Sequence, residues 1–264
     1  MKKFLLILMM CFILTGCGEN KKVAETSAQP QIDTSQYSNE KNGWGFRKIE
    51  GERPEFTKGQ IATMEKFDCI YLGSSDEKAL YLTFDEGYEN GYTKPILDTL
   101  KKRGVKAAFF VTGPYLKEQT EIIDQMVANG HTVGNHTVNH PSLPDKSDAE
   151  VIKEITELND FFYEKYGFSM KYFRPPMGEY SDRTLALANS LGYTTVFWSF
   201  AYKDWETDNQ KGTDYAYKTV TNGLHNGGVI LLHAVSKDNA AALDSIITYA
   251  ENMGYEFKTL DEYK

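Results

Sequence analysis

Thr83-Phe84-Asp85-Glu86-Gly87 sets two neighbouring carboxylates at the end of an apolar run. Like charges this close repel, and a metal or an arginine is the usual compensation. In isolation the pair fits a solvated acidic turn equally well. His136-Thr137-Val138-Asn139-His140 carries two of the chain's five histidines, four residues apart. A turn of backbone brings both imidazoles to one face, and Pro141 disfavours a helix continuing through His140, so the turn must be short or loop-like. Such donors suit a divalent metal, zinc foremost; two unrelated surface histidines are the plainer alternative. His131 and His225 lack such company and read as structural or exposed.

Arg174-Pro175-Pro176-Met177-Gly178 is a turn stiffened by two prolines, with a cation at its start that could clamp a carboxylate. An ordinary surface turn is the alternative. Asp204-Trp205 and Leu231-Leu232-His233 close two further apolar runs. A histidine at a strand end is a natural general acid, and a nearby aspartate can orient it and raise its pKa. For Trp205 alone, residue type points to core packing.

The elements that must position these residues alternate. Strands are expected at Ala79–Phe84, Lys106–Thr112, Thr132–Asn135, Tyr172–Arg174, Tyr193–Phe200, Val229–His233 and Tyr255–Leu260. Helices are expected at Tyr92–Arg103, Glu118–Asn129, Ser147–Tyr166, Asp182–Leu191, Tyr215–His225 and Asn239–Asn252. Ser147 and Glu150 fit a capping box, and Gly104, Gly130, Gly167, Gly192 and Gly254 follow helix ends. Strands alternating with helices imply a parallel sheet with crossover helices. The expected fold is a distorted (β/α) barrel of about seven parallel strands, which would gather the polar residues at its C-terminal mouth. A doubly wound open sheet is the rival, but no Gly-rich phosphate loop follows the first strand.

The chain has 264 residues, a net charge of −8 and 41% hydrophobic residues, enough for a sizeable core. The acidic balance argues against a nucleic-acid partner. Lys2 and Lys3 precede the eleven-residue apolar stretch Phe4–Leu14, which reads as an export signal too short to span a bilayer. Leu14-Thr15-Gly16-Cys17 resembles a bacterial lipobox, so Cys17 is the expected lipidation site and residues 1–16 the signal. A plain secretory signal is the alternative. Residues 17–43 read as anchor and flexible linker, 44–78 as a lead-in, and 79–264 as the catalytic domain. Cys69 is then the one cysteine left outside signal and anchor, so no internal disulfide is expected.

Taken in order, TFDEG, HTVNH, RPPMG, DW and LLH resemble the five motifs of the polysaccharide deacetylases, the NodB-like carbohydrate esterases. TFDEGYENGYT, VFWSFAYKDW and LLHAVSKDNAAALD, with the lead-in from Trp44, resemble the branch of delta-lactam-biosynthetic de-N-acetylases of spore cortex peptidoglycan. The resemblance implies a NodB-like barrel and hydrolysis of an N-acetyl amide. It makes Asp85 the general base, His136 and His140 metal ligands, Arg174 the residue holding the base, and His233 the general acid tuned by Asp204. Trp205 and Leu231 match residues lining the acetyl slot, and Tyr180 a residue whose backbone N–H binds the oxyanion. Glu86 occupies a ligand position where the family has Asp and the spore branch often Asn. Being one methylene longer, it reaches a metal at about 2.0–2.2 Å only if the backbone or the metal shifts.

The resemblance further implies a divalent metal, zinc first, and a peptidoglycan glycan strand as substrate. It places the protein on the outer face of the cytoplasmic membrane through Cys17, in functional pairing with a muramoyl amidase. The expected activity is de-N-acetylation of N-acetylmuramic acid leading to muramic delta-lactam. Deacetylation of N-acetylglucosamine in peptidoglycan or a chitin-like glycan is the first alternative, and a non-catalytic glycan-binding homologue the second.

Overall fold

The computed structural model describes residues 32–49 and 51–263. The expected signal, Cys17 and most of the expected linker lie outside them. Among the described residues no helix is long and apolar enough to cross a membrane.

In chain order the elements are β1 (Asn42–Gly43), α1 (Lys58–Lys66), β2 (Ala79–Glu86), α2 (Thr93–Arg103), β3 (Ala108–Val111), α3 (Gly113–Glu118), α4 (Thr120–Ala128), β4 (Thr132–Asn135) and α5 (Asp148–Tyr166). They continue with β5 (Tyr172–Phe173), β6 (Glu179–Tyr180), α6 (Asp182–Ser190), β7 (Thr194–Thr195), α7 (Thr213–Thr221), β8 (Gly228–His233), α8 (Lys237–Asn252) and β9 (Glu256–Phe257). The main sheet runs β7-β5-β4-β3-β2-β8, with β9 beside the start of β2, and every pairing in it is parallel. Beyond β7 the chain leaves β5 and meets β8. The Leu231 N–H donates to the Phe200 carbonyl at 2.9 Å, and Phe200 bridges Ile230 in parallel. That crossover curls the sheet into the expected distorted barrel.

Local chemistry explains the element ends. Ser147 and Glu150 form the expected capping box on α5, and Gly104 and Gly167 end α2 and α5 in the left-handed region. Central β2 is buried along its whole length. Leu80, Leu82 and Phe84 face the helices, and Tyr81, Thr83 and Asp85 the barrel interior, as strand alternation requires.

Three expectations change. The helix expected at Glu118–Asn129 is two helices, because Pro114 opens α3 early and Gln119 (φ −106°, ψ 41°) breaks the helical path. The strands expected at Tyr193–Phe200 and Tyr255–Leu260 pair regularly at only two residues each. The first switches partners midway, and the second touches only the start of β2. Residues 32–41, expected as tether, lie on the domain. Thr34 hydrogen-bonds Asp148 at 2.5 Å, Asn39 reaches the Pro144 carbonyl at 3.0 Å, and the Ser38 carbonyl accepts from the Arg183 N–H at 3.0 Å.

Candidate active site

The mouth of the barrel gathers the motif residues because the strands end in register. Asp85 on β2 stands beside His233 on β8 and Phe110 on β3. Arg174, at the end of β5, is fully buried and reaches across the interior. Its Nη1 donates to Asp85 Oδ1 at 2.7 Å and its Nη2 to Thr83 Oγ1 at 2.9 Å. Its Nε donates to the Val196 carbonyl at 3.1 Å, and the guanidinium lies 4.1 Å from the Phe110 ring centre. Burial opposes the charge on Asp85, but Arg174, His136 and His233 outweigh it and hold the carboxyl below its ordinary value.

His233 is gripped by Asp204. Asp204 Oδ1 lies 2.7 Å from Nδ1, and Oδ2 accepts the His233 backbone N–H at 2.8 Å. Asn239 Nδ2 donates to the same Oδ2 at 2.6 Å. Burial works against protonation of His233, but the hydrogen bond and charge of Asp204 win, with Asp85 adding to them, and its pKa is raised. Trp205, expected from its type alone to pack in the core, is instead 47% exposed. Its ring stands edge-on to His233 at 5.3 Å between centres. Leu231, two residues before His233 on β8, shares its strand face. The structure thus brings Asp85, Arg174, His233, Asp204, Trp205 and Leu231 to one mouth.

His136 and His140 join them on a loop rather than a helix. Two residues there, Thr137 (φ 66°) and His140 (φ 56°), sit in the left-handed region. The loop is pinned by the Glu154 carboxylate, which accepts from Asn139 N at 2.8 Å and Nδ2 at 2.7 Å. The two rings lie 4.7 Å apart. The Arg174 carbonyl, an acceptor only, lies 2.8 Å from His136 Nδ1, so Nδ1 carries the proton and Nε2 a lone pair. That Nε2 faces Asp85 Oδ2 at 3.6 Å. Burial pushes the His136 pKa down to about 4, and burial also lowers that of His140, so both rings are neutral donors. An imidazole lone pair facing a carboxylate oxygen, beside a second neutral imidazole, fits a divalent cation. Among the described residues, however, no three ligand side chains converge as a complete set.

Glu86 does not supply the third ligand. Strand alternation turns it to the helix face of β2, away from Asp85. It is fully buried, and among the described residues neither carboxylate oxygen has a hydrogen-bond partner. Burial first, then the charges of Glu89 and Asp85, push its pKa well above the ordinary value. The ligand role expected from its sequence position is corrected for this reason.

Tyr180 is corrected as well. The Trp44 N–H donates to the Gly178 carbonyl at 2.8 Å, and the antiparallel register pairs Asn42 with Tyr180. Ladder bonds recur at every second residue, so the Tyr180 N–H is spent on the Asn42 carbonyl. Among the described residues one backbone donor of the turn is left free. Pro175 and Pro176 have none, Arg174 N–H donates to Asn135, Gly178 to Pro175, Glu179 to Pro176 and Ser181 to Thr184. Among the described residues nothing accepts from the Met177 N–H. Met177 holds φ 58° and ψ 6°, a left-handed conformation costing roughly 1 kcal/mol, and its side chain is exposed. The sequence signal was present: between two prolines and a glycine, Met177 is the residue whose N–H a tight turn leaves over.

A profile of the polysaccharide deacetylase family matches residues 73–196. Over 226 residues the chain is 45% identical to the peptidoglycan-N-acetylmuramic acid deacetylase PdaA of Bacillus subtilis, covering 85% of this chain and 86% of that one. It is 34% identical over 185 residues to the peptidoglycan-N-acetylglucosamine deacetylase PgdA of Listeria monocytogenes, covering 70% of this chain and 38% of that one. The solved structure of B. subtilis PdaA, a family 4 carbohydrate esterase, matches with a TM-score of 0.83 at 44% identity, covering 86% of this chain and 97% of that one. A family 4 carbohydrate esterase from Bacillus anthracis matches with a TM-score of 0.74 at 40% identity, with the same coverage.

Proposed function

The chain belongs to the polysaccharide deacetylase family, and we propose that it removes the acetyl group from N-acetylmuramic acid in peptidoglycan. The observation that carries this reading is the near full-length similarity to PdaA together with an intact mouth. Asp85 is held by Arg174 on one side and His233 by Asp204 on the other.

His136 and His140 would hold a divalent metal, zinc by their donor set. Bound there, it would polarise the acetamide carbonyl and acidify a water molecule. Asp85, kept ionised by Arg174, takes the proton of the attacking water. The Met177 N–H donates to the oxygen on which charge develops. His233, kept protonated by Asp204, gives its proton to the departing amine nitrogen. Acetate and a free amino sugar result. Trp205 and Leu231 flank the acetyl methyl. On muramic acid the freed amine can then close onto the sugar's own lactyl carboxyl with loss of water, giving the delta-lactam found in spore cortex; pairing with a muramoyl amidase would supply glycan stripped of its peptide.

Deacetylation of N-acetylglucosamine is the second reading, favoured by the similarity to PgdA. Comparing the purified protein on muramic and glucosamine sites of one peptidoglycan separates the two. Export and anchoring through Cys17 rest on the lipobox resemblance. Membrane fractionation of a Cys17→Ser variant tests it: the variant is expected in the soluble fraction, and full membrane retention would overturn the anchor.

A further inference from the structure

We propose that Trp44, in the lead-in before the family-matched region, is a positioning residue for the reaction, locking the backbone that seats Arg174 and through it Asp85. The proposal rests on the deacetylase reading for its kinetic arm only.

Trp44 touches both segments that surround the guanidinium. Its backbone N–H donates to the Gly178 carbonyl at 2.8 Å, on the turn that begins at Arg174. Its Nε1–H donates to the Trp198 carbonyl at 2.8 Å. Its ring stacks on Phe197 at 4.5 Å between centres and 26° between planes. The same short segment, 196–198, grips Arg174. The Val196 carbonyl accepts from Nε at 3.1 Å, the Phe197 carbonyl from Nη2 at 3.3 Å, and the Trp198 ring lies 5.6 Å from the guanidinium carbon.

Trp44 completes the hold on this segment at its far end, where the regular ladder has stopped. The segment lies where the chain leaves β5 and crosses to β8, and regular pairing ends at Thr195. Beyond it the Val196 N–H donates to the Phe173 carbonyl at 2.8 Å and the Phe197 N–H to the Ile70 carbonyl at 2.7 Å, and the Trp198 carbonyl is held by the Trp44 indole. Gly178 shows how closely the clamp fits. At φ +68°, a Cβ there would sit 2.8 Å from the Trp198 ring and 3.1 Å from Trp44 Cβ. The β1–β6 pairing and the stack of Phe56 on Trp44, 5.2 Å between centres, fix Trp44 from its far side. A misplacement on the order of 1 Å at a reacting group costs about a hundredfold in rate, so a clamp on the arginine's carbonyl seats has kinetic consequences.

Two measurements test the proposal. Hydrogen exchange of the Arg174 Nε–H, followed by NMR, needs no substrate. The wild type should protect it, and Trp44→Phe, which keeps a stacking ring but loses the indole donor, should exchange it roughly tenfold faster. The amides of β8 should be unchanged. Equal protection in both proteins would overturn the proposal, whatever the substrate proves to be. The kinetic arm uses de-stemmed peptidoglycan glycan and folded fractions matched by thermal unfolding. Trp44→Ala should lower kcat roughly ten- to hundredfold and leave KM within about twofold. In an Arg174→Lys background the same substitution should cost less than about twofold, since both act through one seat. Equal factors in the two backgrounds would show a role in packing alone. If Trp44→Ala does not fold, Trp44→Phe is carried through the same cycle. An inactive wild type would count against the substrate reading, and the exchange result would still decide on Trp44.

Discussion

Asp204 and His233 are joined twice, once through the imidazole Nδ1 at 2.7 Å and once through the histidine's own backbone N–H at 2.8 Å. One carboxylate thereby sets both the ring's tautomer and the position of the strand end carrying it. Asp204 is itself buried and takes a further hydrogen bond from Asn239, so its orientation is determined before substrate arrives.

The pair predicts the basic limb of the pH–rate profile. His233 must be protonated to act as an acid, and Asp204 raises its pKa, so activity persists to higher pH than a free imidazole allows. Asp204→Asn removes that support, and the basic limb should move to lower pH. The rate at the optimum should fall by roughly a hundredfold or more, as expected when general acid catalysis is disabled. A rate–pH series on wild type and variant checks both effects.

The histidine pair predicts metal binding. His136→Ala and His140→Ala should each abolish stoichiometric zinc binding in titration calorimetry at neutral pH. Glu86→Gln should bind zinc as the wild type does, because Glu86 faces the helices rather than the mouth.

Glu86 also predicts a pH-dependent stability. Its carboxyl is raised in the fold, by burial first and then by Glu89 and Asp85. A group that holds its proton more tightly when folded contributes most below its unfolded pKa and loses that contribution as pH rises through the folded one. Glu86→Gln has no such proton to lose. The variant's Tm should gain on the wild type as the pH is raised from about 4 to about 8, measurable by calorimetry across that range.

Much of this site was legible in the sequence because its residues sit at strand ends, where an apolar run meets a polar residue. Asp85, His136, Arg174 and His233 were found that way, and the alternation of strands with helices gave the barrel. What was not legible depended on contacts distant in sequence. The direction of Glu86 follows from where β2 stops pleating, which residue type does not reveal. The loss of the Tyr180 N–H requires Asn42, 138 positions earlier by numbering, to form β1 against β6. Residues 32–41 lie on the domain through Asp148, Pro144 and Arg183, also distant in sequence, although their polar composition reads as tether.

The donor account on the Arg174–Ser181 turn predicts a contrast between two neighbours. Tyr180→Phe should leave kcat within about twofold, since neither its N–H nor its buried ring faces the mouth. Met177→Gly keeps the N–H and relieves the left-handed backbone, so it should retain kcat within a few-fold and fold at least as stably. Steady-state kinetics with thermal unfolding checks both. Replacing the Met177 peptide N–H by an ester oxygen, which removes the donor and keeps the side chains, should lower kcat by roughly a hundredfold; an unchanged kcat would take the oxyanion role away from that turn.

The central claim is that this mouth deacetylates muramic acid. The most direct measurement is mass spectrometry of glycan fragments from de-stemmed peptidoglycan treated with the purified, zinc-loaded protein. The account predicts loss of one acetyl group on muramic residues and none on glucosamine residues, abolished in Asp85→Asn. Loss confined to glucosamine residues, or fragments unchanged by a protein that binds zinc stoichiometrically, would contradict it.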